Sequence, residues 1–188
     1  MLGALGLGLF LIAPLQAAFT GNYALGNFSL INNNADGSVL TPDGGLSIVL
    51  TGGNNGSGLF GTTDLIAPAA ASGTVQFQYS YSSLDMPGAD EAGYLVGGVY
   101  TQLADTSGQS GTAMFQVNGG QLFGFRMVTQ DNTMEPGILT VSNFSAPSSA
   151  AGPAVPEPAT GPLMFALAGA AIAVRLLRRP ARRRERSA

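Results

Sequence analysis

The chain has 188 residues, enough for one domain of ordinary size plus two terminal segments. It contains no Cys, His, Trp or Lys, which excludes disulfides, cysteine-based zinc sites and nucleophilic catalysis through a histidine dyad, a thiol or a lysine. Between residues 19 and 154 nine acids face one base, Arg126, for a charge of −8, whereas residues 175–188 carry seven Arg and Glu185, for +6; with Glu157 the net charge is −3. A nucleic-acid partner needs basic residues spread over a folded surface, so the acidic body is not a nucleic-acid binder.

The chain opens on "LGALGLGLFLI", Leu2 to Ile12, an apolar run of about eleven residues, followed by Pro14 and "LQAAF". A run of that length suits the apolar region of a secretory signal, since a membrane span needs about twenty residues. Residues 1–17 are therefore expected to be a signal peptide, cut near Ala17. No Lys or Arg precedes the run, which points to a start further upstream.

From residue 19 to residue 144 the chain is rich in Gly, Asn, Asp, Ser and Thr, with apolar residues at period two. "GTVQFQYSYSS" places Val75, Phe77, Tyr79 and Tyr81 on one face and Gln76, Gln78, Ser80 and Ser82 on the other, the pattern of a half-buried strand. "TAMFQVN" repeats it with Ala113, Phe115 and Val117 inward, "QLFGFRMV" with Phe123, Phe125 and Met127, and "GILTVSNF" with Leu139 and Val141. Further strands are expected over 28–31, 46–50 and 94–103. Turn signals such as "TPDGG", "TGGNNGSG", "DMPGADEAG" and "EPG" separate the strands, and "VNGGQ", with Asn118, Gly119 and Gly120, is the strongest hairpin signal. Short strands between glycine-rich turns predict an all-β fold, an antiparallel β-sandwich with jelly-roll-like character, over 19–144.

Candidate chemistry in this body is sparse. The acids gather as Asp85, Asp90 and Glu91 in one turn region and Asp131 and Glu135 in another. Paired carboxylates suit glycoside hydrolysis, but these sit in turns where acids are usually solvated, and an enzyme is not expected. Such loop oxygens also suit Ca2+, a candidate cofactor, although no spacing matches an EF-hand and the metal ligands stay unknown. Tyr79, Tyr81, Tyr94 and Tyr100 are the aromatic candidates for stacking on sugar rings; the alternation assigns Tyr79 and Tyr81 to the core.

The linker 145–154 continues the small and proline-rich stretch "SAPSSAAGPAVPEP", which lacks the apolar area needed to fold. An apolar run follows from Pro162 to Val174, with Leu176 and Leu177 beyond Arg175. A helix over 162–177 would be about 25 Å long and of transmembrane type if arginine side chains snorkel. Arginines behind it would hold that end in the cytoplasm.

Val155, Pro156, Glu157 and Pro158, then the apolar helix, then Arg178, Arg179, Arg182, Arg183, Arg184 and Arg186 occur in the order of a known C-terminal signal. This segment, 155–188, resembles the PEP-CTERM sorting signal of Gram-negative bacteria, whose bearers are exosortase substrates. Gly161-Pro162 directly after the motif departs from that pattern and shortens the helix by a residue or two. The resemblance implies that Val155 to Pro158 are the recognition and processing motif, that residues 162–177 anchor the precursor transiently in the inner membrane, and that the arginines stop transfer. It further implies an exported, non-enzymatic protein of the cell surface or extracellular matrix, associated with exopolysaccharide or biofilm. A carbohydrate- or calcium-binding module with a defined ligand is the alternative, and a polysaccharide-acting enzyme a further one.

Overall fold

The computed structural model describes residues 18–148. The signal segment, the sorting motif, the apolar helix and the arginine block lie outside the described residues. Two 3-10 turns, Gly21–Tyr23 and Leu25–Asn27, lead into ten strands. The strands are β1 (Ser29–Asn33), β2 (Ser38–Leu40), β3 (Ser47–Thr51), β4 (Gly61–Pro68), β5 (Gly73–Ser82), β6 (Asp90–Val96), β7 (Val99–Ala104), β8 (Ser110–Val117), β9 (Leu122–Thr129) and β10 (Ile138–Ser145).

They form two five-stranded antiparallel sheets, β1-β4-β9-β6-β7 and β2-β3-β10-β5-β8. The body is thus an all-β antiparallel two-sheet sandwich, as the alternating pattern predicts. A period of two turns every second side chain to the same face, so each strand supplies one row to the space between the sheets. The expected inward rows are the observed ones. Val75, Phe77, Phe123, Phe125, Leu139 and Val141 are fully buried, Tyr81, Val117 and Met127 nearly so, while Tyr79, Ala113 and Phe115 pack against the core from its margin. Aromatic rings dominate the interior: Phe77 meets Phe125 edge-on with centroids 5.1 Å apart, and Phe19 stacks on Phe144 at 4.4 Å. Such pairs add about 0.5–1.5 kcal/mol each beyond the area they bury.

Two expectations are corrected, and two strands lie outside the expected set. Residues 94–103 are not one strand but the hairpin of β6 and β7, reversed at Gly97 and Gly98, whose φ values of 59° and 84° suit a turn built from glycine. "VNGGQ" is not a hairpin: β8 and β9 belong to opposite sheets, and the turn carries the chain across the sandwich, with Gly120 alone of the three at positive φ. Turn chemistry reports that the chain reverses, not which sheet receives the next strand. Finally, β4 and β2 carry no alternating signal. In β4 Thr62 and Thr63 are both buried although they point to opposite faces, so polarity does not alternate along the strand.

Candidate functional site

The two acid clusters come to one end of the sandwich, where the Gln130 N–H donates to the Ala89 carbonyl at 2.9 Å and ties their loops together. Asp90 is 3% exposed, and its carboxylate accepts from the Ser83 hydroxyl at 3.2 Å. Burial raises its pKa above the ordinary carboxylate value, with the charge of Asp85 adding to the shift and bonds from Thr129 and Ser83 opposing it. Asp131 caps its own turn by accepting from the Thr133 N–H at 3.0 Å, and Glu135 is exposed. Among the described residues, no group of three or more acids is placed to hold a metal ion.

Of the four candidate tyrosines, Tyr81 and Tyr79 face the core and Tyr94 stacks on Phe115 at its margin, with centroids 4.6 Å apart. Only Tyr100 lies on an outer face, that of the sheet containing β4, β9, β6 and β7. The register brings three residues abreast there: Asp64 on β4 opposite Arg126 on β9, and Arg126 opposite Gly93 on β6. The single base of the body is thereby held in a bidentate pair. Arg126 Nε donates to Asp64 Oδ1 and Nη2 to Oδ2, each at 2.6 Å. The side chains are 26% and 13% exposed, and the bond to Asp64 raises the Arg126 pKa further.

Gly93 makes room beside this pair. A Cβ there would come within 2.5 Å of Tyr100 Cε2, so the tyrosine ring lies flat against the strand, with the Arg126 guanidinium carbon 5.9 Å from its centroid. The Tyr100 hydroxyl is buried and makes no hydrogen bond among the described residues. Burial, then the charge of Glu91, raises its pKa, keeping it protonated as a donor. Beside the pair opens a cleft of about 120 Å³ lined by Asp64, Ile66, Leu95, Gly98, Leu122 and Arg126. Pockets for drug-sized ligands run to about 300–1,000 Å³, so this one suits an edge or face of a single ring of a longer ligand.

Of this constellation only Tyr100 is among the residues singled out from the sequence. The usable signal for the rest was Arg126, one base amid nine acids within an alternating strand; Asp64 lay in the strand that carried no pattern.

No family model matches the chain, and no curated protein matches it. Among solved structures it is similar to the TmCBM61 module in complex with β-1,4-galactotriose, at 11% identity and TM-score 0.40 over 66% of this chain and 90% of that one. It is also similar to a family 35 carbohydrate binding module from Clostridium thermocellum, at 15% identity and TM-score 0.36 over 60% and 90%. A third similarity is to the secreted serine protease VesC from Vibrio cholerae, at 15% identity and TM-score 0.37 over 53% of this chain, which spans only 21% of the protease's length. At these scores the likeness assigns no ligand to this chain.

Proposed function

We propose that the chain is an exported surface or extracellular-matrix protein whose sandwich binds a neutral polysaccharide without cleaving it. The observation that carries this is the Asp64–Arg126 pair set beside an apolar cleft. A sugar ring presents hydroxyls at its rim and C–H groups on its face. Arg126 keeps donors on Nη1 that Asp64 does not use, Asp64 keeps lone pairs, and Ile66, Leu95 and Leu122 supply the apolar floor. Charge sets the polymer class: a body at −8 repels polyanions, so an uncharged chain is favoured. Hydrolysis is not proposed, because a glycosidase works with two carboxyls and this cleft offers one, already paired with a guanidinium.

Export and sorting complete the proposal. Residues 1–17 would direct secretion. Val155 to Pro158 would be the processing motif for an exosortase-type enzyme, residues 162–177 the transient inner-membrane anchor, and the arginine block its cytoplasmic stop. The motif, apolar run and basic end in that order support this.

The test of the binding site is affinity electrophoresis through gels holding neutral or anionic polysaccharides. Retardation is expected in at least one neutral gel and in none of the anionic ones. Arg126→Gln and Asp64→Asn each weaken retention about tenfold, the loss of one good hydrogen bond to a charged partner. Equal mobility in all gels, or retention unchanged by both substitutions in a folded protein, would refute the site.

A further inference from the structure

We propose that β8 is the edge along which two copies of this chain pair, antiparallel and about a two-fold axis centred on Ala113, joining two five-stranded sheets into one continuous sheet. The proposal is independent of the sugar cleft, which lies on the other sheet.

The hydrogen-bond phase of β8 follows from two separate bonds. The Tyr81 N–H donates to the Gln109 carbonyl at 2.9 Å, so the odd-numbered residues of β8, in step with Gln109, turn their backbone groups to β5. The Gly52 N–H donates to the Gly137 carbonyl at 2.8 Å, which assigns odd residues of β10 to β3, even residues of β10 to β5, and again odd residues of β5 to β8. The amides and carbonyls of Ser110, Thr112, Met114 and Gln116 therefore point away from the sheet along its free edge.

Proteins protect long edges with charge, proline, bulges or brevity. β8 has none of these: eight residues, "SGTAMFQV", without charge or proline, paired to β5 in unbroken register. The other edges differ. β2 has three residues, β1 has five, and β7 meets its neighbour through a register shift at Ala92 and Gly93. The face that β8 borders is also uncharged, since Gln76, Gln78, Ser80, Thr140 and Ser142 carry its outward rows. Two bodies at −8 repel each other, and this edge is where they meet with no charge in the contact.

The occupant is a second copy because the strand is self-complementary. Opposed residues of an antiparallel pair share a face, so a two-fold axis must pass through a residue. Centred on Ala113, it sets Thr112 against Met114 and Ser110 against Gln116 on the outer face, all four with free-edge amides and in the bonding phase. On the inner face Gly111 lies against Phe115 and Ala113 against itself, large beside small.

The test is the self-association of the full chain in mild detergent, followed by sedimentation against concentration. A dimer is expected. Thr112→Pro removes only a free-edge amide, and Met114→Glu places two carboxylates beside the axis; each raises the dissociation constant at least about tenfold. Ala113→Cys supplies the single cysteine of a chain that has none, at a pair whose Cα atoms would stand about 4.5 Å apart, within disulfide reach. It is expected to yield a disulfide-linked dimer in air, and Thr112→Pro in the same chain to abolish it. A monomer at every concentration, or a dimer that both β8 substitutions leave unchanged and Ala113→Cys does not cross-link, overturns the proposal.

Discussion

Asp90 shows how one side chain carries both a structural role and a pH response. Its backbone carbonyl accepts from the Tyr81 hydroxyl at 2.9 Å, its carboxylate from Ser83, and desolvation raises the carboxyl's pKa. The Tyr81 phenol is pushed up to about 12 by its own burial, so it stays a donor across the physiological range. Because the folded state holds the Asp90 proton more tightly than the unfolded chain, its contribution to stability is fully present below the ordinary carboxylate pKa and is lost as pH rises through the raised value. Asp43 has the opposite sign: its pKa is lowered by hydrogen bonds from the Ser47 hydroxyl and N–H, so its contribution is present above the ordinary value and lost on acidification. The melting temperature of Asp90→Asn relative to the parent should therefore grow more favourable from pH 4 to pH 7. A difference independent of pH would mean that Asp90 does not titrate abnormally.

At the scale of elements, β9 organises the molecule. It is the middle strand of its sheet, and both neighbours read their register from it. Its inward residues Phe123, Phe125 and Met127 fill the core while its outward Arg126 builds the cleft. Phe125 contacts Phe19, Phe77 and Phe144 across the sandwich. Phe125→Ala should cost about 3–5 kcal/mol by loss of transfer energy and formation of a cavity, read from denaturant unfolding with an unchanged slope. A loss below about 1 kcal/mol would show that the site collapses and that the ring is not a keystone. The alternation is plainest in β5, where one row is buried in the core and the other is polar and exposed. β4 was missed for the converse reason: with Thr62 and Thr63 both buried, its polarity does not alternate, and with it went Asp64.

For the whole molecule, the charge division between an acidic body and a basic tail gives export its own prediction. Intact-mass analysis of the protein recovered from its own cells should find a chain that has lost the N-terminal run and ends near Pro158. A mature chain that retains residues 162–188 would refute processing at the motif and leave the tail as a permanent anchor.

What the sequence by itself determined is the class of the fold and which side chains face inward, because both follow from a period of two and from the cost of burying polar groups. It also carries the order of motif, apolar run and arginines, which is linear by nature. The tertiary structure alone decided which sheet each strand joins, that "VNGGQ" crosses the sandwich, and that Asp64, 62 residues from Arg126, meets it in a bidentate pair. Sheet membership and cross-strand register depend on contacts between segments far apart in the chain, and local periodicity holds no record of them.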